Sequence, residues 1–256
     1  FQKDNYIHPK AAWDKLRMAG ARRQNVYLYA ATGYGKTELL HRYLRRRRHI
    51  WLSGEGLTVE TLQEIALPAE ATMVIDDLAR VLDPAVRREI VSMLDQPGLW
   101  LVLAGRCPLP SWLTGPYVNG RLSVIPEEDL RLSEKEIAQL YLSWGVQLPR
   151  NLLEKRIIPL VEGSPLGARL LAVEMSQGYT EELMNDLTRK FYEYLNQAIY
   201  SEWPEEIREM MMQLSLLEHF TIQQAEEMVQ IDEQVGRHFG VFEPSGKKLP
   251  QQREGP

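Results

Sequence analysis

The chain has 256 residues, which is enough for one large domain or two to three small ones with sizeable buried cores. Its hydrophobic content of 44% and charged content of 25% are those of an ordinary folded protein, and the net charge of −5 gives no general attraction to nucleic acid or to an anionic membrane. The single cysteine, Cys107, excludes an internal disulfide and predicts a reducing, cytoplasmic location.

Neither a membrane-spanning helix nor an N-terminal signal peptide is predicted. No run of about 18 apolar residues is present, so no membrane-spanning helix is predicted. The first residues do not resemble a signal peptide and include no initiating Met, so we expect a fragment of a longer protein.

Residues 30–37, with the sequence Ala-Ala-Thr-Gly-Tyr-Gly-Lys-Thr, form the segment that the rest of the chain is organised around. They follow an apolar run at 26–29 and precede a helical pattern that includes Leu39, Leu40 and Leu44. A strand, a Gly-rich loop ending in Gly-Lys-Thr and a helix are the context of a phosphate-binding loop. Backbone N–H groups of such a loop point at phosphate oxygens, and the helix N-terminus favours the same anion.

The loop predicts a set of nucleotide contacts. Lys36 would reach the β- and γ-phosphates, and the Thr37 hydroxyl would hold Mg²⁺. Ala30 stands where the pattern G-x-x-x-x-G-K-[ST] has its first Gly, and Ala is the least costly replacement there. The alternative is an ordinary strand–turn–helix junction. The predicted nucleotide-binding residues of this segment are Thr32, Gly33, Tyr34, Gly35, Lys36, Thr37 and Glu38.

A second buried strand, residues 72–75, is followed by two adjacent carboxylates. Asp76 would hold Mg²⁺ directly or through water, and Asp77 would orient or deprotonate the attacking water. We therefore predict catalytic roles for Asp76, Asp77 and Lys36. The alternative is a strand that ends in an Asp helix cap.

An arginine follows another apolar strand, residues 99–104. In a parallel sheet the strand ends gather at the ligand crevice, where Arg106 could sense the γ-phosphate. Equally, Arg106 could pair with a nearby carboxylate. Together with the apolar runs 50–52 and 122–125, the strands predict a parallel sheet of about five strands.

Helical patterns occupy the ends of the chain. Near the N-terminus, residues 11–18 predict a helix that Gly20 could end. From residue 131 only helices are predicted. Ser133 and Glu136 form a capping box, residues 152–161 a second helix, Ser164-Pro165 the start of a third, and residues 181–200 a fourth.

These motifs resemble, in order, those of the STAND ATPases, the P-loop ATPases of signal transduction. Among these, the chain is most similar to the nucleotide-binding module of MalT-like large ATP-binding transcriptional regulators of the LuxR type. The resemblance rests on Gly33 to Thr37, Val74 to Asp77, Leu103 to Arg106, Leu130 to Glu136 and Glu162 to Pro165.

The resemblance implies an α/β P-loop NTPase domain at 1–129, an all-α helical lid domain at 130–200 and a truncated, winged-helix-like segment at 201–256. It implies ATP or ADP and Mg²⁺ as cofactors, with ADP in a closed resting state. Exchange for ATP opens the molecule for self-association, and slow ATP hydrolysis resets it. In that scheme Pro165 contacts the base or sugar, Ile7 and His8 flank the adenine, and Arg106 reports on the γ-phosphate.

The sequence is less consistent with two other functions. A DNA-binding winged-helix module is disfavoured because residues 181–233 carry 13 acidic and three basic side chains, so we predict no direct nucleic-acid binding by this fragment, although the whole protein could bind DNA. An AAA-type remodelling ATPase would usually place Glu where Asp77 stands.

Overall fold

The computed structural model describes residues 5–178, a few positions between 186 and 197, and residues 205–214. The chain divides into two compact units, residues 1–202 and 203–256. In the second unit the described part is a single helix, Glu205–Leu214. Most of the fourth predicted helix, at 181–200, and most of the winged-helix-like segment, at 201–256, lie outside the described residues.

A five-stranded parallel sheet forms the centre of the first unit and confirms the predicted α/β architecture. Its strands lie in the order β2-β3-β4-β1-β5. They are β1 (Asn25–Tyr29), β2 (Ile50–Ser53), β3 (Ala71–Asp76), β4 (Leu99–Gly105) and β5 (Leu122–Ile125).

The sheet has a separate hydrophobic core on each face. Along β4, Leu101 and Leu103 pack into one core, whereas Trp100 and Val102 pack into the other. Successive side chains of a strand point to opposite faces, so a strand covered on both sides needs apolar residues at every position. This requirement explains why the central strands β3 and β4 appear in the sequence as nearly continuous apolar runs.

Helices cover both faces of the sheet. They are α1 (Lys10–Arg22), α2 (Lys36–Leu44), α3 (Val59–Glu64), α4 (Pro84–Met93), α5 (Ser111–Val118) and α6 (Glu127–Leu130), with a 3₁₀ turn at Leu78–Arg80. The prediction that Gly20 ends the first helix is wrong, because Gly20 lies inside α1. A Cβ at this position would lie 2.5 Å from the hydroxyl oxygen of Tyr43, so this glycine allows a close approach.

Between α6 and residue 178 the regular structure is helical: α7 (Glu134–Ser143), α8 (Arg150–Leu152), α9 (Ile158–Val161) and α10 (Pro165–Ser176), with a π-helical turn at Leu153–Ile157. The capping box of Ser133 and Glu136 is present, as predicted. The predicted helix at 152–161 is interrupted by the π-helical turn. Pro159 follows that turn and has no N–H to continue the i→i−4 pattern.

These helices share a core of their own, which includes Ile137, Leu140 and Leu171. None of the helices in the described residues is both long enough and apolar enough to cross a membrane.

Candidate functional site

The register of the sheet brings three predicted segments to one edge. Tyr29 at the end of β1 pairs with Gly105 at the end of β4, and Ile75 of β3 pairs with Leu103 of β4. The residues that follow these strands therefore meet in space. They are the phosphate loop (residues 30–37), the acid pair (Asp76 and Asp77) and Arg106. The Ala30 N–H donates to the Gly105 carbonyl at 3.4 Å, which fixes the start of the loop.

The phosphate loop curls through two glycines in the left-handed region. Gly33 has a φ of 92° and Gly35 a φ of 72°. Side-chain-bearing residues are strained in this region, so both turns favour glycine. The Gly35 carbonyl accepts a hydrogen bond from the Leu39 N–H at 2.8 Å, which begins α2 directly behind the loop.

Lys36 lies against the inner side of this loop. Its Nζ donates to the carbonyl oxygens of Ala30 at 2.6 Å and Ala31 at 3.0 Å. Burial lowers the pKa of the Lys36 ammonium; Arg106 lowers it further, whereas Asp76 opposes the shift. Two cations held close together in a partly buried site favour the approach of an anion.

The predicted magnesium ligands are adjacent. The Thr37 hydroxyl donates to Asp76 Oδ2 at 2.7 Å, and the backbone N–H of Asp77 donates to Asp76 Oδ1 at 2.8 Å. In the described residues, no group of three or more His, Cys, Asp or Glu side chains is arranged to hold a metal ion. A pair of protein oxygens nevertheless suits Mg²⁺, which usually keeps several waters and binds through one or two carboxylates and substrate phosphates.

Arg106 lies next to the second carboxylate. Its Nε is 3.3 Å from Asp77 Oδ1, and the two side chains are 47% and 44% exposed. Arg106 and Asp77 line the same cavity. Arg106 therefore pairs with a carboxylate and also lies at the predicted ligand site. Asp77 itself has a φ of 52°, and a Cβ at Gly54 would lie only 2.5 Å from its carbonyl oxygen. Gly54 thus allows the backbone of Asp77 to lie close to it, and no motif in the sequence indicated this role.

The phosphate loop and the helices enclose a cavity of about 880 Å³. This volume falls within the range of roughly 300–1,000 Å³ that is usual for small-molecule sites. The sheet side contributes the loop, the acid pair and Arg106. Residues from the N-terminal segment, from α2 and from the part of the chain after α6 line the rest: Asn5, Tyr6, Ile7, His41, Arg42, Leu132, Leu140, Trp144, Pro165, Leu166 and Arg169.

The start of α10 touches the phosphate loop directly. The Leu166 N–H donates to the Gly33 carbonyl at 3.2 Å, and a Cβ at Gly33 would lie 2.9 Å from Leu166 Cδ2. The Ser164 hydroxyl caps this helix by accepting from the Gly167 N–H at 3.2 Å, and Pro165 occupies its first turn, as predicted. The helical segment and the phosphate loop are therefore opposing walls of one site.

The structure brings most of the predicted residues to this cavity. The lining includes Ile7, Thr32, Gly33, Gly35, Lys36, Thr37, Glu38, Asp76, Asp77, Arg106 and Pro165. The side chains of His8 and Tyr34 do not line it. The His8 ring lies 4.6 Å from the ring of Trp13, and Tyr34 interacts with Glu127 and Arg131 outside the cavity. The ligand contacts of all these residues remain predictions.

Several lining residues were not predicted, although helical periodicity could have found some of them. His41 lies one turn after Thr37, and Arg169 lies one turn after Pro165. Arg42 pairs with Glu38 at 2.5 Å and stacks over the Tyr6 ring, 4.1 Å from its centroid. The contacts of Trp144 and Asn5 depend on long-range packing, which leaves no local signal.

The strand order, the phosphate loop and the acid pair define an α/β P-loop NTPase fold, and comparisons with known structures agree. The chain is similar to the RuvB Holliday junction branch migration motor of Thermotoga maritima, with 17% identity over 88% of this chain and 83% of that one and a TM-score of 0.55. It is also similar to a Walker-type ATPase of Pyrococcus abyssi, with 13% identity over 92% and 88% of the two chains and a TM-score of 0.62. Neither a family model nor a curated protein matches the sequence.

Proposed function

We propose that this chain is an ATP- and ADP-operated molecular switch of the STAND type, from a MalT-like, LuxR-type transcriptional regulator. The observation that carries this proposal is the hydrogen bond between the Leu166 N–H and the Gly33 carbonyl. Because the helical segment contacts the loop that would hold the phosphates, a change of nucleotide can change the fit between the two walls. A ligand shifts such an equilibrium by its difference in affinity for the two arrangements.

Each wall would have its own task in nucleotide binding. The N–H groups of the phosphate loop and the Lys36 ammonium would bind the β- and γ-phosphates. Thr37 and Asp76 would hold Mg²⁺, which supplies charge neutralisation between the phosphate oxygens. On the opposite wall, Ile7 and Pro165 offer apolar surface for the base and sugar, as the resemblance to STAND ATPases implies.

The pairing of Asp77 with Arg106 favours slow hydrolysis. The Asp77 carboxylate already accepts from the Arg106 guanidinium at 3.3 Å, which leaves it fewer free acceptor positions for the attacking water. Asp77 would still orient the attacking water, while Arg106 stabilises the charge that develops on the γ-phosphate. The nucleotide would therefore be held for a long time and hydrolysed as a reset step.

The resemblance to STAND ATPases also leads us to propose a helical lid at 130–200 and a winged-helix-like segment at 201–256. It further leads us to propose self-association in the ATP state and a cytoplasmic location. We also propose that any contact with DNA is made by parts of the protein other than this acidic C-terminal region.

Single-turnover hydrolysis of radiolabelled ATP by the whole chain tests the switch. We expect a rate on the order of 10⁻³ s⁻¹, as in other switch-type NTPases without an activator. The Asp77→Asn variant should hydrolyse about 100-fold more slowly, the usual effect of losing a positioned base, with little change in ADP affinity. Asp83→Asn, which alters the N-cap of α4 outside the cavity, is the control. Hydrolysis by Asp77→Asn at the wild-type rate would contradict a role for Asp77.

A motor ATPase is the alternative, because the structural similarity to the RuvB motor extends over 88% of this chain. A motor would hydrolyse ATP with different kinetics from a switch. Turnover would be fast and would rise further in the presence of a macromolecular substrate such as branched DNA. The same hydrolysis assay, repeated with four-way-junction DNA, separates the two functions, since the switch predicts no stimulation.

A further inference from the structure

A carboxylate outside the cavity holds the phosphate loop from behind. Glu127 is the first residue of α6, and its Oε2 accepts a hydrogen bond from the Ala31 N–H at 3.0 Å. The Tyr34 side chain also lies close to this carboxylate and helps to lower the pKa of Glu127. The two contacts lie at either end of the turn 31–34, and that turn contains Gly33, the most flexible residue type.

The third partner of Glu127 belongs to the start of the helical segment. Arg131 Nη2 lies 3.4 Å from Glu127 Oε1, and the Arg131 guanidinium is also close enough to Tyr34 to influence its pKa. Burial by itself would raise the pKa of the Glu127 carboxyl, but interactions with its three partners lower it overall. Glu127 is therefore an ionised acceptor at neutral pH.

Arg131 continues the connection to α10. A Cβ at Gly163 would lie 2.9 Å from Arg131 Cβ, and the Leu132 N–H donates to the Gly163 carbonyl at 2.8 Å. Three residues further on, Leu166 returns to the loop through its bond with Gly33. The contacts form a closed ring that starts and ends at the phosphate loop.

We propose that Glu127 is a positioning residue, which holds the phosphate loop in its anion-binding conformation and couples it through Arg131 to the start of α10. This rests on the proposed nucleotide site. A glycine-containing loop loses conformational entropy when it is ordered around a ligand. Contacts that order the loop beforehand reduce that cost and so raise affinity for the phosphates. The competing explanation is a purely local role, in which Glu127 only stabilises the first turn of α6.

Two measurements on the whole chain test this role. The first is the hydrogen exchange rate of the Ala31 amide, without added nucleotide. We expect Glu127→Ala to exchange about tenfold faster than wild type, the factor that corresponds to losing one hydrogen bond to a charged acceptor. Glu127→Gln keeps an acceptor but loses the charge, and it should fall between the two. Glu128→Ala removes a neighbouring exposed carboxylate of the same helix and should match wild type.

The second measurement is ADP affinity. Glu127→Ala should weaken ADP binding about tenfold. Combining Glu127→Ala with Tyr34→Phe should weaken it no more than the larger single change, because both substitutions remove the same restraint. A purely local role in the first turn of α6 predicts instead that Glu127→Ala and Glu128→Ala bind ADP equally well.

The outcomes separate the two proposals. Unchanged Ala31 exchange in Glu127→Ala, or ADP affinity equal to that of Glu128→Ala, would overturn the positioning role. Failure of the wild-type chain to bind ADP would overturn the proposed nucleotide site. In that case the Ala31 exchange rates still decide whether Glu127 orders the loop.

Discussion

The Lys36→Ala variant is expected to bind ADP on the order of 100-fold more weakly than wild type, which corresponds to losing about 3 kcal/mol of charge-assisted hydrogen bonding. The wild-type ammonium lies against the inner side of the phosphate loop, where a phosphate oxygen would replace the carbonyls of Ala30 and Ala31 as its partners. No other lysine lines the cavity within the described part of the chain, so we expect no substitute for this contact.

Thermal or chemical unfolding in the presence of ADP measures this effect. A ligand at 100 times its dissociation constant stabilises the wild-type chain by about 2.7 kcal/mol, and Lys36→Ala should lose most of this gain at the same ADP concentration. Lys135→Ala, which removes an exposed charge outside the cavity, is the matched control and should retain the full gain. Equal stabilisation of wild type and Lys36→Ala by ADP would contradict the role of Lys36.

Of the substitutions proposed, Trp100→Ala should destabilise the chain most, lowering the free energy of unfolding by about 4 kcal/mol. Trp100 lies in β4, is 1% exposed, and packs in the same core as Leu28 and Val102. Its Nε1 donates to the Gln24 carbonyl at 2.8 Å. Truncation leaves a cavity and an acceptor without its partner, and both effects destabilise the folded chain.

Urea unfolding monitored by circular dichroism measures this loss. Trp100→Phe keeps an aromatic ring and loses the hydrogen bond, so it should be destabilised by only about 1–3 kcal/mol. Met18→Ala, at a residue that is 49% exposed, should stay within about 0.5 kcal/mol of wild type. If Trp100→Ala unfolds within about 1 kcal/mol of wild type, the described packing of this core is wrong.

Local chemistry explains which parts of the fold could be predicted from the sequence. The central strands β3 and β4 are nearly continuous apolar runs because both of their faces are buried, and the caps at Ser133 and Ser164 depend on residues three positions apart. The phosphate loop is also a local motif, since Gly33 and Gly35 supply the positive φ angles that its turns need. These features therefore follow from short segments read one at a time.

Other features depend on neighbours that are distant in sequence. Gly20 resembles a helix stop, yet it lies inside α1, where the missing Cβ leaves room for the Tyr43 hydroxyl. The strand order, with β4 between β1 and β3, follows from packing of the whole sheet. The contact of Glu127 with Ala31 spans 96 positions. No local pattern in the sequence predicts any of these three arrangements.

Equilibrium titration of the wild-type chain with ADP, after removal of any bound nucleotide by unfolding and refolding, tests the central claim most directly. In the presence of Mg²⁺ we predict saturable binding at one site per chain, with a dissociation constant in the micromolar range or below. Lys36→Ala should bind on the order of 100-fold more weakly, and Lys135→Ala should bind as wild type does. Absence of saturable binding at millimolar ADP, in a wild-type chain whose circular dichroism shows it to be refolded, would contradict the proposed nucleotide site.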